Sequence, residues 1–401
     1  KLLIKDAVKR SLVTQPAILL IAIALSSYIK WNCLKGNEGK SGKARCLILS
    51  YGRWSQDIDA ILATNRVALF LLPDRFVEIF NSLFFLGMER ETAEKFWEEQ
   101  SGSLRFARTC QELGWKSLLE KLNQLLKLDA ILTCNYRYLR EVPIAKASKR
   151  AGLPFIAWHK ELTILNSKDY AQRITNTRKK GHKFYGTLLC CVTDSAKNFF
   201  VDAGVFLEPQ IKTVGLLRID NLINSKQEGV QESRPTICLF SFGHLTGRFE
   251  GNLDTRNYYF SANGDFGFVK LFEETHRVFA ELAIEYPGVD FLIKPKNFEK
   301  GWVNEIKAVI DGALPKPFDE ISNLRIVNEN AQSLMKRSKA NVVFNSTTVI
   351  ESAICCAQTI VPIFAEALDV HKNALYLTEY SGAFKQANSP SELKSRLRTA
   401  I

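Results

Sequence analysis

Short apolar runs recur along the chain and alternate with segments of helical periodicity. We interpret eleven of these runs as strands, at residues 45–50, 67–72, 129–134, 154–158, 188–192, 211–215, 236–241, 289–294, 324–327, 341–344 and 359–363. Most are nearly continuous in apolar residues and lack the alternation of a half-buried strand, which favours a parallel sheet covered on both faces. Strands that alternate with helices predict an α/β fold.

Helical periodicity is clearest after the seventh strand. Leu271, Thr275, Val278 and Leu282 recur at intervals of four, three and four residues. This spacing places all four side chains on one face of a helix, so the segment is predicted to pack that face against a sheet.

The composition changes between the sixth and seventh strands, which suggests two domains. Residues 224–234 are polar, include Gly229 and stop at Pro235, so they are predicted to form a linker. We expect a Rossmann-like domain at residues 1–223 and a second at 235–401, each a doubly wound parallel sheet. A chain of 401 residues is long enough for both. Such domains are expected to face a ligand cleft at the carboxyl ends of their strands.

An apolar segment near the N-terminus stands apart from this pattern. Residues 17–25 are fully apolar, with Lys9 and Arg10 before them and Lys30 after them. The apolar stretch to Ile29 is shorter than the roughly 20 residues that a spanning helix needs. A basic start before an apolar core also fits a signal peptide. We favour an interfacial or buried helix at residues 12–29.

The charge of the chain indicates what kind of partner it binds, and its cysteine content indicates the redox state of its compartment. The chain has 54 Lys and Arg against 42 Asp and Glu, a net charge of +12, which favours an anionic partner. No zinc spacing, RNA-binding motif or basic zipper occurs, so nucleic acid is not expected. Nine cysteines without a C-x-x-C pair indicate a reduced, cytoplasmic chain.

The most informative motif directly follows the strand at residues 341–344. Ser346, Thr347 and Thr348 form a hydroxyl-rich turn before a helix of small residues, and Glu351 follows about one turn later. A helix that begins in this way presents backbone N–H groups and hydroxyls to an anion, and phosphate suits it. The alternative interpretation of this motif is an ordinary capped helix with an acidic residue in its first turn.

Four short segments in a fixed order resemble a known class of enzyme. They are residues 152–159, 214–220, 291–296 and 345–351, the last followed by Val361 and Pro362. Their order resembles glycosyltransferases with two Rossmann domains (GT-B). Within that class it is similar to the bacterial surface-carbohydrate, capsule and CDP-glycerol transferase-like group. The resemblance runs from about Asp129 to Glu366.

The resemblance implies a nucleotide-activated sugar held mainly by the C-terminal domain. It assigns the pyrophosphate to Ser346, Thr347 and Thr348, and the ribose to Glu351. No cofactor is implied, since the nucleotide-sugar is a substrate.

Four further donor-binding residues follow from the resemblance. Lys294 and Lys296 come after a strand and would offset the phosphate charge, because a lysine at a strand end reaches a diphosphate as a point charge. Solvated surface lysines are the alternative. Gly215 and Arg218 are expected at the domain junction, where Gly215 permits a tight turn. Arg218 alternatively forms a purely structural pair with Asp220.

Candidate catalytic groups lie at the ends of two strands. Transfer with inversion needs a base for the acceptor hydroxyl, and His159 and Glu161 have suitable chemistry at alternate positions. His159 alternatively only hydrogen-bonds within the sheet edge. His244 is the next candidate, and Gly243 beside it would let the backbone approach a phosphate. Residues 245–268 are interpreted as a flap over the site or as a surface loop.

One further motif is rejected. Asp57-Ile58-Asp59 imitates a metal-binding D-x-D pair, but it lies at a predicted helix start, where acids are favoured without any ligand. No metal is expected.

We therefore expect a metal-independent glycosyltransferase that moves a sugar onto a glycan or lipid-linked precursor of the cell surface. It is expected in the cytoplasm, peripheral on the inner face of the plasma membrane. Two alternatives stay open. One is a non-hydrolysing sugar-nucleotide epimerase, and the other is a non-catalytic protein that binds a sugar-nucleotide or a polyanion.

Overall fold

The chain forms two compact units, residues Lys1–Asp220 and Asn221–Ile401, which we call unit 1 and unit 2. The computed structural model describes residues 15–34, 43–85, 102–138, 140–160, 170–224, 234–246, 267–296, 298–355, 358–369, 371–372, 375 and 382–401. The predicted linker at 224–234 lies outside the described residues except for its two ends.

Unit 1 is built on a six-stranded sheet with the order β2-β1-β3-β4-β5-β6. The strands are β1 (Ala44–Ile48), β2 (Val67–Leu71), β3 (Ala130–Thr133), β4 (Phe155–His159), β5 (Leu188–Cys191) and β6 (Ile211–Thr213). The helices are α1 (Gln15–Trp31), α2 (Ser55–Ala63), α3 (Asp74–Leu83), α4 (Gly102–Leu126), α5 (Val142–Arg150), α6 (Tyr170–Lys179) and α7 (Asp194–Asp202). A further helix, α8 (Leu217–Asn224), contains the division between the units.

Unit 2 has its own six-stranded sheet with the order β12-β11-β10-β7-β8-β9. The strands are β7 (Thr236–Phe240), β8 (Asp290–Lys294), β9 (Leu324–Ile326), β10 (Ala340–Val342), β11 (Gln358–Pro362) and β12 (Lys385–Ala387). The helices are α9 (Val269–Glu285), α10 (Lys300–Ala313), α11 (Ala331–Arg337), α12 (Thr348–Ile354) and α13 (Pro390–Ala400).

The sheets confirm the predicted α/β class with two doubly wound parallel-sheet domains. Strand pairing is parallel throughout the described residues, apart from one isolated antiparallel bridge between Leu34 and Leu69. The eleven predicted strands all form. The prediction that residues 359–363 are the last strand is wrong, because β12 follows. This edge strand is only Lys-Gln-Ala and pairs with β11 alone, so it needs no apolar run.

Two helices show why the apolar periodicity was informative. In α9 the predicted stripe is buried, and Leu271, Thr275 and Leu282 have no exposed surface. The predicted helix at 12–29 is described from Gln15 and continues to Trp31. Ile18 and Ile29 of α1 lie in the core of unit 1, so one face of this helix is an integral part of the fold. Among the described residues, no helix is both long and apolar enough to span a membrane.

Candidate functional site

The order of strands reverses at the centre of unit 2, where a ligand crevice is expected. From β7 the chain crosses to β8 on one side and later returns to β10 on the other, so neighbouring strands β7 and β10 send their following segments in different directions. Ligands of open α/β sheets bind outside the carboxyl ends of the strands at this kind of reversal. The segments that follow β7 and β10 therefore form the candidate site.

These two segments contact each other through several groups. The rings of Phe242 and Phe344 lie 4.6 Å apart between centroids. The Asn345 amide donates to the carbonyl of Thr246 at 3.2 Å, and the Thr246 hydroxyl accepts from the backbone N–H of Gly243 at 3.1 Å. Asn345 has a left-handed φ of 45°, a conformation that asparagine tolerates. The fold thus brings predicted residues Gly243 and Ser346 to one edge of one sheet.

The hydroxyl-rich turn leads into a short helix. Helix α12 has only seven residues, begins at Thr348 and has no side-chain capping bond from Thr347. Instead, the Ser346 hydroxyl accepts from the Thr348 N–H at 3.2 Å. All three hydroxyl residues are half-buried, so part of each residue is open to solvent. Their contact with a pyrophosphate stays a prediction.

Glu351 occupies a different environment from these hydroxyls. Its side chain is buried, and its Oε2 lies 3.5 Å from the Nε2 of Gln332 on α11. In this conformation the carboxylate is directed toward a neighbouring helix of the same unit. A contact with ribose stays a prediction.

The two predicted lysines differ in exposure. Lys294 ends β8, is half-buried and donates to the Pro295 carbonyl at 3.2 Å, while Lys296 is exposed. Burial lowers the pKa of Lys294. Strand β8 pairs with β7, and the Ser241 N–H donates to the Lys294 carbonyl at 2.9 Å, so this lysine lies beside the segment that follows β7.

His244 lies below the surface of the candidate site. Its ring packs 4.9 Å from that of Phe272, and its carbonyl accepts from the N–H of Phe268 at 2.8 Å. Burial lowers the pKa of His244 to about 4, although Glu366 acts in the opposite direction. The imidazole is therefore neutral at pH 7. Most of the predicted flap, residues 247–266, lies outside the described residues.

Sequence reasoning missed two side chains that hold the start of α9. The Glu366 carboxylate accepts from the N–H groups of Lys270 and Leu271 at 2.7 and 3.0 Å. His371 Nε2 accepts from the Gly267 N–H at 3.2 Å. A carboxylate at a helix N-terminus satisfies open donors and complements the helix dipole. Each pair is separated by about a hundred residues, so no local sequence pattern could reveal it.

His276 provides a pH-dependent prediction for unit 2. Its Nε2 lies 3.0 Å from the Ser241 hydroxyl and its Nδ1 lies 2.7 Å from the Phe272 carbonyl. Burial lowers its pKa to about 4, whereas an unfolded histidine titrates near 6.5. Between pH 4 and pH 6.5 the unfolded chain binds more protons at this residue than the folded chain does. The contribution of neutral His276 to the free energy of unfolding is therefore complete above pH 6.5 and is lost as the pH falls toward 4. We expect His276→Gln to lose less melting temperature between pH 7 and pH 5 than the wild type does.

This comparison uses thermal unfolding at both pH values. The wild-type difference contains every titrating group, and only the change caused by His276→Gln reports on this imidazole. An equal or larger loss of melting temperature in the variant would contradict the assignment.

In unit 1, His159 ends β4 inside an aromatic cluster. Its ring lies 5.2 Å from that of Tyr136 and 5.4 Å from that of Phe200, and only 2% of the residue is exposed. Burial and the charge of Arg137 lower its pKa to about 3, against a hydrogen bond with the Cys134 backbone. It is neutral at pH 7 and, in this environment, a weak base. Glu161 lies outside the described residues.

Two predicted donor-binding residues, Gly215 and Arg218, lie between β6 and β7 in the sequence. Gly215 has a φ of 79°, and a Cβ there would meet nothing within 4 Å, so it fits the predicted tight turn. Arg218 is buried and forms an ion pair with Asp57 at 3.7 Å, and its N–H donates to the same carboxylate at 3.3 Å. Arg218 thus has a structural partner in Asp57, the first acid of the rejected D-x-D motif, and its contact with a donor stays a prediction.

Unit 1 has a buried polar pair that the sequence did not indicate. Its strand order reverses between β1 and β3. Ser50 follows β1 with a left-handed φ of 58° and donates to Glu141, just before α5, at 2.6 Å. Both side chains are 1% exposed. Since a left-handed serine is strained, this contact helps to hold the turn that follows β1.

In the part of the chain that the structure describes, no three His, Cys, Asp or Glu side chains come together as a metal site.

Comparisons with known proteins find similarity only among solved structures. No protein-family model matches the sequence, and no curated protein matches it. A UDP-GlcNAc 2-epimerase from Neisseria meningitidis bound to UDP-GlcNAc has 12% identity and a TM-score of 0.45, over 89% of this chain and 90% of its own. A glycosyltransferase from Rickettsia africae has 12% identity and a TM-score of 0.45, over 90% and 88%.

A third solved structure gives similar values. The UDP-GlcNAc 2-epimerase from Methanocaldococcus jannaschii has 12% identity and a TM-score of 0.45, over 88% of this chain and 91% of its own. Similarities at this level assign no activity and no substrate to this chain. The fold class stated above follows from the two parallel sheets themselves.

Proposed function

We propose that the chain is a glycosyltransferase that uses a nucleotide-activated sugar as its donor. The observation that carries this proposal is the reversal of strand order between β7 and β10 in unit 2. The bond from Asn345 to Thr246 joins the segments that follow these strands. A crevice of this kind at the carboxyl edge of a parallel sheet suits a nucleotide.

Charge stabilisation at this edge would serve the leaving nucleoside diphosphate. The Ser346 and Thr348 hydroxyls supply donors, and Lys294 and Lys296 supply positive charge without a metal. Hydrogen-bond donors that lie where negative charge develops lower the activation barrier for breaking the bond between the sugar and the diphosphate. Gly243, whose N–H donates to the Thr246 hydroxyl in the same contact network, would let a phosphate approach the backbone.

The acceptor side of the reaction is assigned to unit 1. The acceptor is a glycan or lipid-linked precursor of the cell surface, and the reaction takes place at the inner face of the plasma membrane. His159 and Glu161 are the proposed bases. With a pKa of about 3, His159 becomes an effective base only if acceptor binding changes its aromatic surroundings.

Donor binding can be measured by thermal shift with UDP-, GDP-, CDP- and CMP-activated sugars. A donor at a hundred times its dissociation constant adds about 2.7 kcal/mol of stability, so we expect a rise of roughly 5–10 °C with one donor class. Lys294→Met should reduce the shift strongly, because it removes a half-buried charge beside β7. Lys316→Met, an exposed lysine in the same unit, is the matched control and should leave the shift intact.

Catalysis is tested separately from binding. Release of the leaving nucleotide (a nucleoside diphosphate, or CMP from a CMP-activated sugar) should depend on an acceptor, whereas epimerisation of the donor would need none. His159→Gln should abolish release and keep the thermal shift. If none of the four donor classes raises the melting temperature, the proposed function is wrong.

A further inference from the structure

Helix α1 carries an unusual concentration of exposed apolar side chains. Of the sixteen large apolar residues exposed in the described chain, five lie on this helix of 17 residues. Leu20 is 68% exposed, Ile23 46% and Trp31 90%. Their spacings of three and eight residues place them on one helical face. Leu19 and Tyr28 are exposed at its margins.

The opposite face holds the helix firmly in unit 1. Ile18, Ala22, Leu25 and Ile29 belong to the main hydrophobic core of the unit, where α1 packs against α4. The helix therefore presents its outer side in a defined orientation. No acidic residue occurs on it, and Lys30 is its single charge.

Positive charge is concentrated in the same part of the sequence. Residues 1–45 contain nine Lys and Arg against two Asp and Glu, a net charge of +7 out of +12 for the whole chain. Bases occur on both sides of α1 in the sequence, at positions 1, 5, 9 and 10 and at positions 35, 40, 43 and 45. A helix with one exposed apolar face and basic flanking sequence has a composition complementary to acyl chains beneath anionic headgroups.

We propose that the outer face of α1 is a docking surface for an anionic phospholipid bilayer. The helix lies in the plane of the interface with Leu20, Ile23 and Trp31 among the upper acyl chains. Tyr28 and Lys30 at its C-terminal end suit the headgroup level, where an aromatic ring and a lysine combine an apolar body with a polar end. This proposal identifies the surface that makes the membrane contact of the proposed function. Binding to the bilayer requires neither the sugar donor nor the acceptor.

Vesicle sedimentation tests the docking surface directly. We expect the full chain to sediment with vesicles of phosphatidylglycerol and phosphatidylcholine, more weakly in high salt, and poorly with phosphatidylcholine alone. The triple variant Leu20→Gln, Ile23→Gln and Trp31→Gln should bind about tenfold or more weakly, since it removes the apolar area that enters the interface. These residues are exposed, so the variant should keep the wild-type melting temperature.

A control variant removes the same number of exposed apolar side chains elsewhere. Leu207→Gln, Ile223→Gln and Leu368→Gln change three side chains that are 71%, 66% and 54% exposed. This control should bind vesicles like the wild type. Brominated lipids should quench part of the tryptophan fluorescence of the wild type, and this quenching should decrease in Trp31→Phe.

Three results would overturn the proposal. They are absence of binding by the wild type, equal binding by the triple variant, and a wild-type dimer in light scattering that the triple variant converts to a monomer. The last would assign this face to a second copy of the chain. Donor thermal shifts are independent of all three, so a failure here differs from a failure of the proposed function.

Discussion

Gly267→Ala should destabilise unit 2 by about 2–5 kcal/mol, through backbone strain and overpacking. Gly267 has a φ of 105°, which side chains with a Cβ rarely adopt, and an added Cβ would lie 2.7 Å from the His244 backbone oxygen. Neither atom can move easily, because the His244 carbonyl accepts from Phe268 and the Gly267 N–H donates to His371. The same contacts shape the segment after β7, so we also expect donor binding to be lost.

Gly288→Ala is the matched control for this change. Its added Cβ would meet nothing within 4 Å, and the residue has no positive φ. A change within about 0.5 kcal/mol is expected there. Urea unfolding of both variants gives the comparison, and equal midpoints for the two would refute the strain at Gly267.

Removing either partner of the Asp57–Arg218 pair should be the second large effect. We expect Asp57→Ala to lower the free energy of unfolding by about 3 kcal/mol, because it leaves a buried guanidinium without its carboxylate. Both side chains are nearly enclosed, with exposures of 10% for Arg218 and 7% for Asp57. The double variant Asp57→Leu, Arg218→Met should recover most of the loss, since an apolar pair carries no buried charge.

Glu120→Gln provides the comparison for a surface ion pair. Glu120 contacts Lys116 at 2.8 Å on an exposed helix face, and losing this contact should cost about 0.5 kcal/mol or less. Should Asp57→Ala cost no more than Glu120→Gln, the buried pair contributes little to stability. Donor thermal shifts in Arg218→Met then test the separate prediction that this arginine binds the donor.

Local patterns were sufficient for most of the fold. Residues 46–48 and 237–240 are continuously apolar, and each run lies in the first strand of a sheet, because burial on both faces favours that composition. The α9 stripe was equally readable, since helical spacing alone puts Leu271 and Leu282 on one face. Strand β12 escaped because an edge strand of three polar or small residues leaves no such pattern.

The candidate site was only partly predictable. The sequence showed that Ser346 directly follows a buried strand. Because the carboxyl ends of parallel strands meet at one edge of a sheet, Ser346 was expected at that edge. The environment of a given side chain was not. His159 and Glu351 both have suitable chemistry for a site, yet one lies among aromatic rings and the other against Gln332. Burial depends on which distant residues pack there, which a single sequence does not state.

By itself, the order of apolar and polar residues determined the class of fold and the strands whose ends carry polar groups. These properties depend on short-range periodicity, which burial imposes on each segment separately. Tertiary structure alone decided which polar groups meet, such as Glu366 with the start of α9 and Asp57 with Arg218. It also decided that one apolar face of α1 is buried while the other stays exposed. Such pairings join residues far apart in the chain, and only the packing of whole helices and sheets brings them together.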